Sequence, residues 1–247
     1  MTFLCLIAFQ DVVRPEAEEA ILQFKRAGIK VRMMTGDNKT TARVIAEECG
    51  ILDPNEENNI VMEGKEFMEM VGGIICDLCQ TKICDCPTNA LEATLLNRPM
   101  RIQTLGNPAA FSHLYEKLCV LARTRPEDKL ALLIGLKQRG EIVAVTGDGT
   151  NDALALKHSD VGFAMGRTGT EITKEASSII LLDDNFKSIV KSIIWGRNIY
   201  ECIQRFLTFQ LTVLSSVVVN MFLVALFFQQ AMLEPVQLMW VECHFFL

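Results

Sequence analysis

The string VTGDGTNDALALKHSDVGFAMG, beginning at Val145, places Asp148 and Asp152 among glycines after an apolar run, where a helix is expected to open. A carboxylate at a strand end beside a helix N-terminus suits a hard divalent cation. Mg²⁺ takes one or two protein carboxylates and leaves its other positions to water and phosphate oxygens. Asp148 is the expected metal ligand. Asp152, one helical turn on, would complete the metal site by orienting Asp148 or a water, and Gly147 and Gly149 let the backbone approach closely. An ordinary strand-to-helix turn capped by an aspartate would use the same residue types.

Two further segments carry chemistry of the same kind. Thr35-Gly36-Asp37 ends another apolar run with a hydroxyl and backbone N–H groups suited to phosphoryl oxygens, ahead of NKTTARVIAEE. In ARTRPEDKLALL, Pro126 suits a first helical position and Lys129 follows one turn later, where an ammonium could neutralise a phosphoryl group. An N-cap and a solvated lysine are the plainer readings of these two. The three motifs together, in order on successive strand ends, specify phosphoryl chemistry far better than any one does.

The elements that must position them follow from the apolar pattern. Up to about residue 182, strand-length runs (FLCLIAF, IKVRMM, VLAR, EIVAV, DVGFAM, SIILL) alternate with amphipathic segments (PEAEEAILQFKRAG, NKTTARVIAEECG, RPEDKLALLIGLKQRG, TNDALALK). This alternation predicts an α/β fold, a parallel sheet with helices on both faces, whose ligands sit at the carboxyl ends of the strands. Between about 72 and 110 the pattern lapses, which predicts an inserted, partly disordered loop.

After Asp183-Asp184-Asn185-Phe186 a long helical pattern begins. The segment 206–228 carries no charge and is long enough to cross a hydrocarbon core of roughly 30 Å. Lys187, Lys191, Arg197 and Arg205 precede it, so its amino-terminal side is expected in the cytosol. Residues 236–247 look like the start of a second, truncated span. The domains expected are therefore 1–185, a stalk helix at 186–205, a transmembrane helix at 206–228 and that partial span.

Composition agrees with a soluble part joined to a membrane part: half of the 247 residues are hydrophobic, and mean hydropathy is +0.25. The net charge of −6 and the lack of a basic block exclude phosphate-backbone binding to nucleic acid. Nine cysteines without a secretory leader point to reduced thiols on the cytosolic side. Four of them, Cys76, Cys79, Cys84 and Cys86, are numerous enough for a tetrahedral Zn²⁺ site, though the spacing is tight and free thiols in an exposed loop are the alternative. His113, His158 and His244 share no ligand spacing.

The segments MMTGDNKTTARVIAEECGIL, LARTRPEDK, VAVTGDGTNDALALKHSDVGFAMGRTGTEITKEASSIILLDDNF and SIVKSIIWGRNIYECIQRFLTFQLTV resemble the phosphorylation domain and following membrane helices of P-type ATPases, which belong to the haloacid dehalogenase superfamily. WGRN, FQLTV and VQLMWV point to the plasma-membrane-type calcium pumps. The resemblance covers nearly all of the chain outside the cysteine-rich insert. It implies a haloacid-dehalogenase-like Rossmannoid sheet followed by a stalk helix running into transmembrane helices, with ATP as substrate and Mg²⁺ as cofactor. Thr35 and Gly36 would bind the transferred phosphoryl group, Lys129 would neutralise it, Asp148 would hold Mg²⁺, and Asn151 and Asp152 would complete that shell. Asp11 and Arg14, in a DVVRP whose Val12 replaces a proline, and Asp37 and Arg123 fall where the family contacts ATP.

Departures from the family pattern bear on activity. The family's nucleophile is the aspartate of Asp-Lys-Thr-Gly-Thr, and the only Asp-Lys pair here, Asp128-Lys129, continues into Leu130-Ala131. The chain is thus expected to be a fragment that does not turn over ATP alone. Leu154 replaces a proline. Glu242 and Phe246 replace an ion-binding asparagine and aspartate, and the text after Val241 also fits a frame or splice change. The resemblance implies a transported cation, Ca²⁺, a lipid bilayer of the plasma membrane or a vacuole-like organelle, and calmodulin control in a full-length protein. A membrane-anchored phosphatase of the same superfamily and a non-catalytic membrane protein that keeps the sheet are the alternatives.

Overall fold

The computed structural model describes residues 5, 13–53, 59–84, 86–87, 94, 99 and 101–228. Apart from Cys5, the expected strand FLCLIAF lies outside them, as do Asp11, Glu242, His244 and the truncated span.

Helix α1 (Pro15–Arg26) opens on a proline, whose fixed φ and missing N–H suit a first helical position. Glu16 and Glu18 sit at its positive end, Lys25 and Arg26 at its negative end. It leads to β1 (Met33–Met34) and α2 (Lys39–Glu48), where Asn38 Oδ1 accepts the Thr41 N–H at 2.8 Å. Then come β2 (Ile60–Glu63) and α3 (Gly64–Val71), whose start is closed by reciprocal side-chain and backbone bonds between Glu63 and Glu66. The chain continues through β5 (Leu118–Ala122) and α5 (Pro126–Gln138). Next are β6 (Ala144–Gly147), a 3₁₀ turn (Thr150–Asp152), α6 (Ala153–His158), β7 (Val161–Met165), α7 (Glu171–Ala176) and β8 (Ile179–Leu181).

The described strands of this core pair as two three-stranded parallel sheets, β1-β5-β2 and β6-β7-β8. Met34 lies opposite Leu121 in the first, and Thr146 opposite Phe163 in the second. β1 and β6 are the edges that carry Thr35-Gly36-Asp37 and Gly147-Asp148. Parallel pairing puts the carboxyl ends of all three strands of a sheet on one side, so both motifs emerge as expected.

Helices cover both faces of the first sheet, because β5 sends alternate side chains to opposite sides. Val120 and Ala122 pack with Ile21, Ala42 and Ala46 of α1 and α2. Leu121 packs with Phe67, Phe111 and Leu132 of the other face. Helix α5 serves two cores: Leu132 and Leu136 enter the first cluster, while Leu133 joins Val145, Ala155 and Leu156 of the second half. A helix used on so many sides carries an unbroken apolar run, as α5 does in LALLIGL (130–136).

The described residues of the insert include regular elements that its sequence does not suggest. β3 (Ile74–Cys76) and β4 (Gln103–Leu105) form an antiparallel pair, with Cys76 opposite Gln103, and α4 (Pro108–Leu114) follows. Leu105 and Phe111 are buried against α5. Two short strands and a seven-residue helix are too brief to show a period, so only their burial holds them in place. At Gly135 a Cβ would stand 2.6 Å from the Phe111 ring, so the glycine is what lets the ring approach α5.

Helix α8 (Phe186–Phe228) is continuous for 43 residues. Residues up to Val190 belong to the compact unit with the sheets, and Lys191–Leu247 form a second unit. The helix has a mean hydropathy of 2.0 over its most apolar stretch and none of that stretch is buried, which meets the length and composition needed to cross a membrane. The uncharged part, 206–228, spans about 34 Å at 1.5 Å per residue.

Because Phe111 is 2% exposed and its ring lies against the Gly135 backbone, Phe111→Ala is expected to destabilise the sheet unit by about 3–5 kcal/mol. Urea unfolding followed by hydrogen exchange at α5 amides measures this. A loss under about 1 kcal/mol would show that the insert does not complete the core.

Candidate phosphoryl and cation site

The Thr35 loop is built onto the end of β5. Thr35 N–H donates to Leu121 O at 2.9 Å, Thr124 N–H to Thr35 O at 3.0 Å and Arg123 N–H to Asp37 O at 2.9 Å. The Thr124 hydroxyl adds a second bond to Thr35 O, at 3.1 Å. Arg123 takes a left-handed φ of 47° to make this crossing. Within the loop the Thr35 hydroxyl donates to Asp37 Oδ2 at 2.8 Å and accepts from Asp37 N–H at 3.1 Å. Open space surrounds the position a Gly36 Cβ would take, so the backbone at Gly36 is free to meet a ligand.

Two residues past Thr124, helix α5 begins. Arg125 N–H donates to Asp128 Oδ2 at 2.8 Å, which closes the first turn, and Lys129 is carried inward. Lys129 is 9% exposed, and its ammonium meets Asp152 Oδ1 at 2.5 Å. Both side chains are largely withdrawn from water, so removing either partner alone costs more than breaking a surface pair. On the other side of the pair, Asp152 N–H donates to Gly149 O at 2.9 Å. A Cβ on Gly147 would stand 2.5 Å from Asp152 Cβ, so the absence of a side chain there lets Asp152 lie against the strand end.

Asp148 is held by its backbone: its carbonyl accepts from Thr170 N–H at 3.1 Å and from the Thr173 hydroxyl at 3.4 Å. Its side chain is exposed, and among the described residues its carboxylate has no hydrogen-bond partner. Asn151 is exposed on the same turn. A free carboxylate with a neighbouring amide oxygen and a second carboxylate is an all-oxygen donor set, which fits Mg²⁺.

The structure therefore brings Lys129 and Asp152 into contact and ties Thr35 to the loop that starts α5. No direct bond joins Thr35 to Lys129 or Asp148 among the described residues. Arg14 goes elsewhere: its guanidinium donates to Asp184 O at 2.9 Å. Asp184 is a residue the sequence reading passed over. It is buried, at φ 51°, and its carboxylate accepts from Arg167 N–H (3.0 Å), Thr168 N–H (2.8 Å) and the Thr168 hydroxyl (3.0 Å). The Arg167 N–H, with those of its neighbours, holds the Asp184 carboxyl below the usual carboxylate range against the opposing push of burial. The turn string DDNF was the available signal. Asp128 was also missed, and a Cβ on Gly64 would stand 2.3 Å from its Oδ2.

A cavity of about 470 Å³ lies beside the start of α5, lined by Glu63, Lys65, Lys82, Arg123, Arg125 and Asp128 among others. Of the candidate site residues, only Arg123 lines it. His158 is set below its ordinary pKa by burial and next by Lys137.

The haloacid dehalogenase-like hydrolase family model matches residues 2–64. The chain is 44% identical over 98% of its length to plasma membrane calcium-transporting ATPase 4 of Bos taurus and to plasma membrane calcium-transporting ATPase 1 of Mus musculus. It is 43% identical to plasma membrane calcium-transporting ATPase 4 of Homo sapiens. It spans 18% of the length of each of these curated relatives. Among solved structures, a zinc-transporting PIB-type ATPase in an E2.Pi state matches 87% of this chain and 24% of that one, with a TM-score of 0.55 at 23% identity. This likeness bears on the fold.

Two measurements follow from the geometry. Lys129→Met strands the Asp152 carboxylate and is expected to cost about 2–3 kcal/mol, with Lys129→Met/Asp152→Asn recovering at least about 1 kcal/mol in a double-mutant cycle. Additivity would mean the pair is not coupled. For Asp184, a folded pKa below the unfolded value of about 3.9 means stability present above that pH and lost as pH falls through the folded pKa. Protection factors at the Arg167 and Thr168 amides are expected to fall across that acid window in the native chain, and Asp184→Asn to remove that fall.

Proposed function

We propose that the chain is a segment of a plasma-membrane-type calcium-transporting P-type ATPase, the proteins it is 44% identical to, and that residues 1–185 supply the phosphoryl- and Mg²⁺-binding half of an ATP-driven calcium pump. The observation that carries this reading is the Lys129–Asp152 contact at the end of the turn that also bears Asp148, whose exposed carboxylate has no partner among the described residues. Asp148 would hold Mg²⁺, with Asn151 and Asp152 in its shell; the bound ion would offset charge on the transferred phosphoryl group. Thr35 would donate its hydroxyl, and Gly36 its N–H, to phosphoryl oxygens. The Lys129 ammonium, withdrawn from water and fixed by Asp152, would neutralise a further oxygen. Such chemistry needs positioned charge more than proton transfer, and these residues supply that.

Asp37 and Arg123, joined through the Arg123 N–H, would face ATP from the same loop. Arg14, bonded to the Asp184 turn, would act in this reading by bracing α1 rather than by touching the nucleotide. The acceptor aspartate is in no Asp-Lys-Thr-Gly-Thr of these 247 residues. Among the described residues β1 and β6 are each paired on one side, so a further parallel strand bringing that aspartate has an edge to join. The phosphorylation domain would lie in the cytosol, with 186–205 as stalk and 206–228 as a membrane span.

A chimera in which this segment replaces the aligned segment of a plasma membrane calcium-transporting ATPase tests the reading. Acid-stable phosphorylation from ATP is expected, dependent on calcium and Mg²⁺, and reduced at least about 10²-fold by Asp148→Ala. Labelling indifferent to calcium would remove the ion assignment, and labelling unaffected by Asp148→Ala would remove the site.

A further inference from the structure

The thiols of the insert lie outside everything the pump reading uses. Cys76 is on β3, Cys79 lies in the turn that follows, and Cys84 and Cys86 are on the chain leaving it. The four sulfurs lie within 4.8 Å of one another. We propose that Cys76, Cys79, Cys84 and Cys86 form a structural tetrathiolate site for one Zn²⁺ ion.

Tetrahedral coordination with Zn–S bonds of about 2.3 Å sets the sulfurs roughly 3.8 Å apart. Sulfurs already within 4.8 Å need to close by about an ångström or less to reach that geometry. The spacing C-x₂-C-x₄-C-x-C looks tight when read along the chain, but the fold relieves it. Gln80 N–H donates to Cys76 O at 2.8 Å and Cys76 N–H to Thr81 O at 2.9 Å, so the first pair sits across a closed turn. Gln80 holds a left-handed φ of 56° to make that turn. The Thr81 hydroxyl donates to Ile83 O at 3.0 Å and bends the chain back toward Cys84.

The turn is anchored on both sides. Asp77 N–H donates to Ile102 O at 2.9 Å, and Arg101 N–H to Pro87 O at 2.7 Å. These bonds position the thiols independently of any ion, which lowers the ordering entropy of binding. Cys76 is buried while Cys79 is exposed, so the cluster has a solvent-facing side through which an ion enters. Binding releases the thiol protons and leaves a Zn²⁺ with four thiolates, a net charge of −2. Lys82 and Arg101 stand in the same hairpin, with Arg101 Nη2 donating to Lys82 O at 3.4 Å. A closed four-thiolate shell leaves no position for water, so the ion is structural: it fastens β3 to the loop that returns toward β4.

The full chain, purified in detergent under reducing conditions, loaded with ZnCl₂ and dialysed, should retain about one zinc per chain by mass spectrometry of the metal. Loaded instead with CoCl₂, it should show the sulfur-to-cobalt charge transfer and visible bands of a tetrahedral tetrathiolate. Cys79→Ser and Cys84→Ser should each weaken retention at least about tenfold, with Cys119→Ser unchanged. To separate metal loss from misfolding, alkylation of the native chain should be slowed by zinc at these four thiols and not at Cys202. Zinc retained equally by the Ser variants, no zinc-dependent protection, or these cysteines recovered as disulfides under the same reducing conditions would each overturn the proposal.

Discussion

The contact between the Lys129 ammonium and the Asp152 carboxylate joins two pieces of sheet that no described strand pairing connects. One partner comes from the helix that follows β5, the other from the turn that follows β6. Helix α5 places apolar side chains in both halves, and this ion pair is the polar counterpart of that double role. A lysine and an aspartate both withdrawn from water need each other's charge, so the relative placement of the Thr35 loop and the GDGTND turn is set partly by this demand. The two strand-end loops thus depend for their placement on a bond made between side chains of the protein itself.

Much of this was legible in the residues. Strand ends at Thr35 and Gly147 could be read because apolar runs stop there at glycine and aspartate, and α5 because Pro126 marks its start. The pairing of Lys129 with Asp152 could not be read, since it spans 23 residues and depends on how two helices meet. β2 and α3 were passed over although Glu63 and Glu66 carry a helix-start pattern, because IVMEG is short and ends in a glycine. Arg14 and Asp184 are 170 residues apart, and only the folded chain brings them together.

The insert shows the opposite balance. Its composition suggests a loop, yet Leu105, Phe111 and Leu114 complete one face of the first core. Burial by neighbours, not local preference, holds such short elements. In α8 composition alone was enough, because an uninterrupted uncharged stretch needs no tertiary partner to be recognised as a helix suited to lipid.

Gly147 adopts no left-handed backbone angle, so its identity is a matter of room. The volume a methyl would claim is already owned by the Asp152 side chain. Even alanine at this address would evict that carboxylate from beside the ammonium and leave the Lys129 charge withdrawn from water without its partner. The missing side chain is, in that sense, as much a part of the ion pair as the two residues that form it.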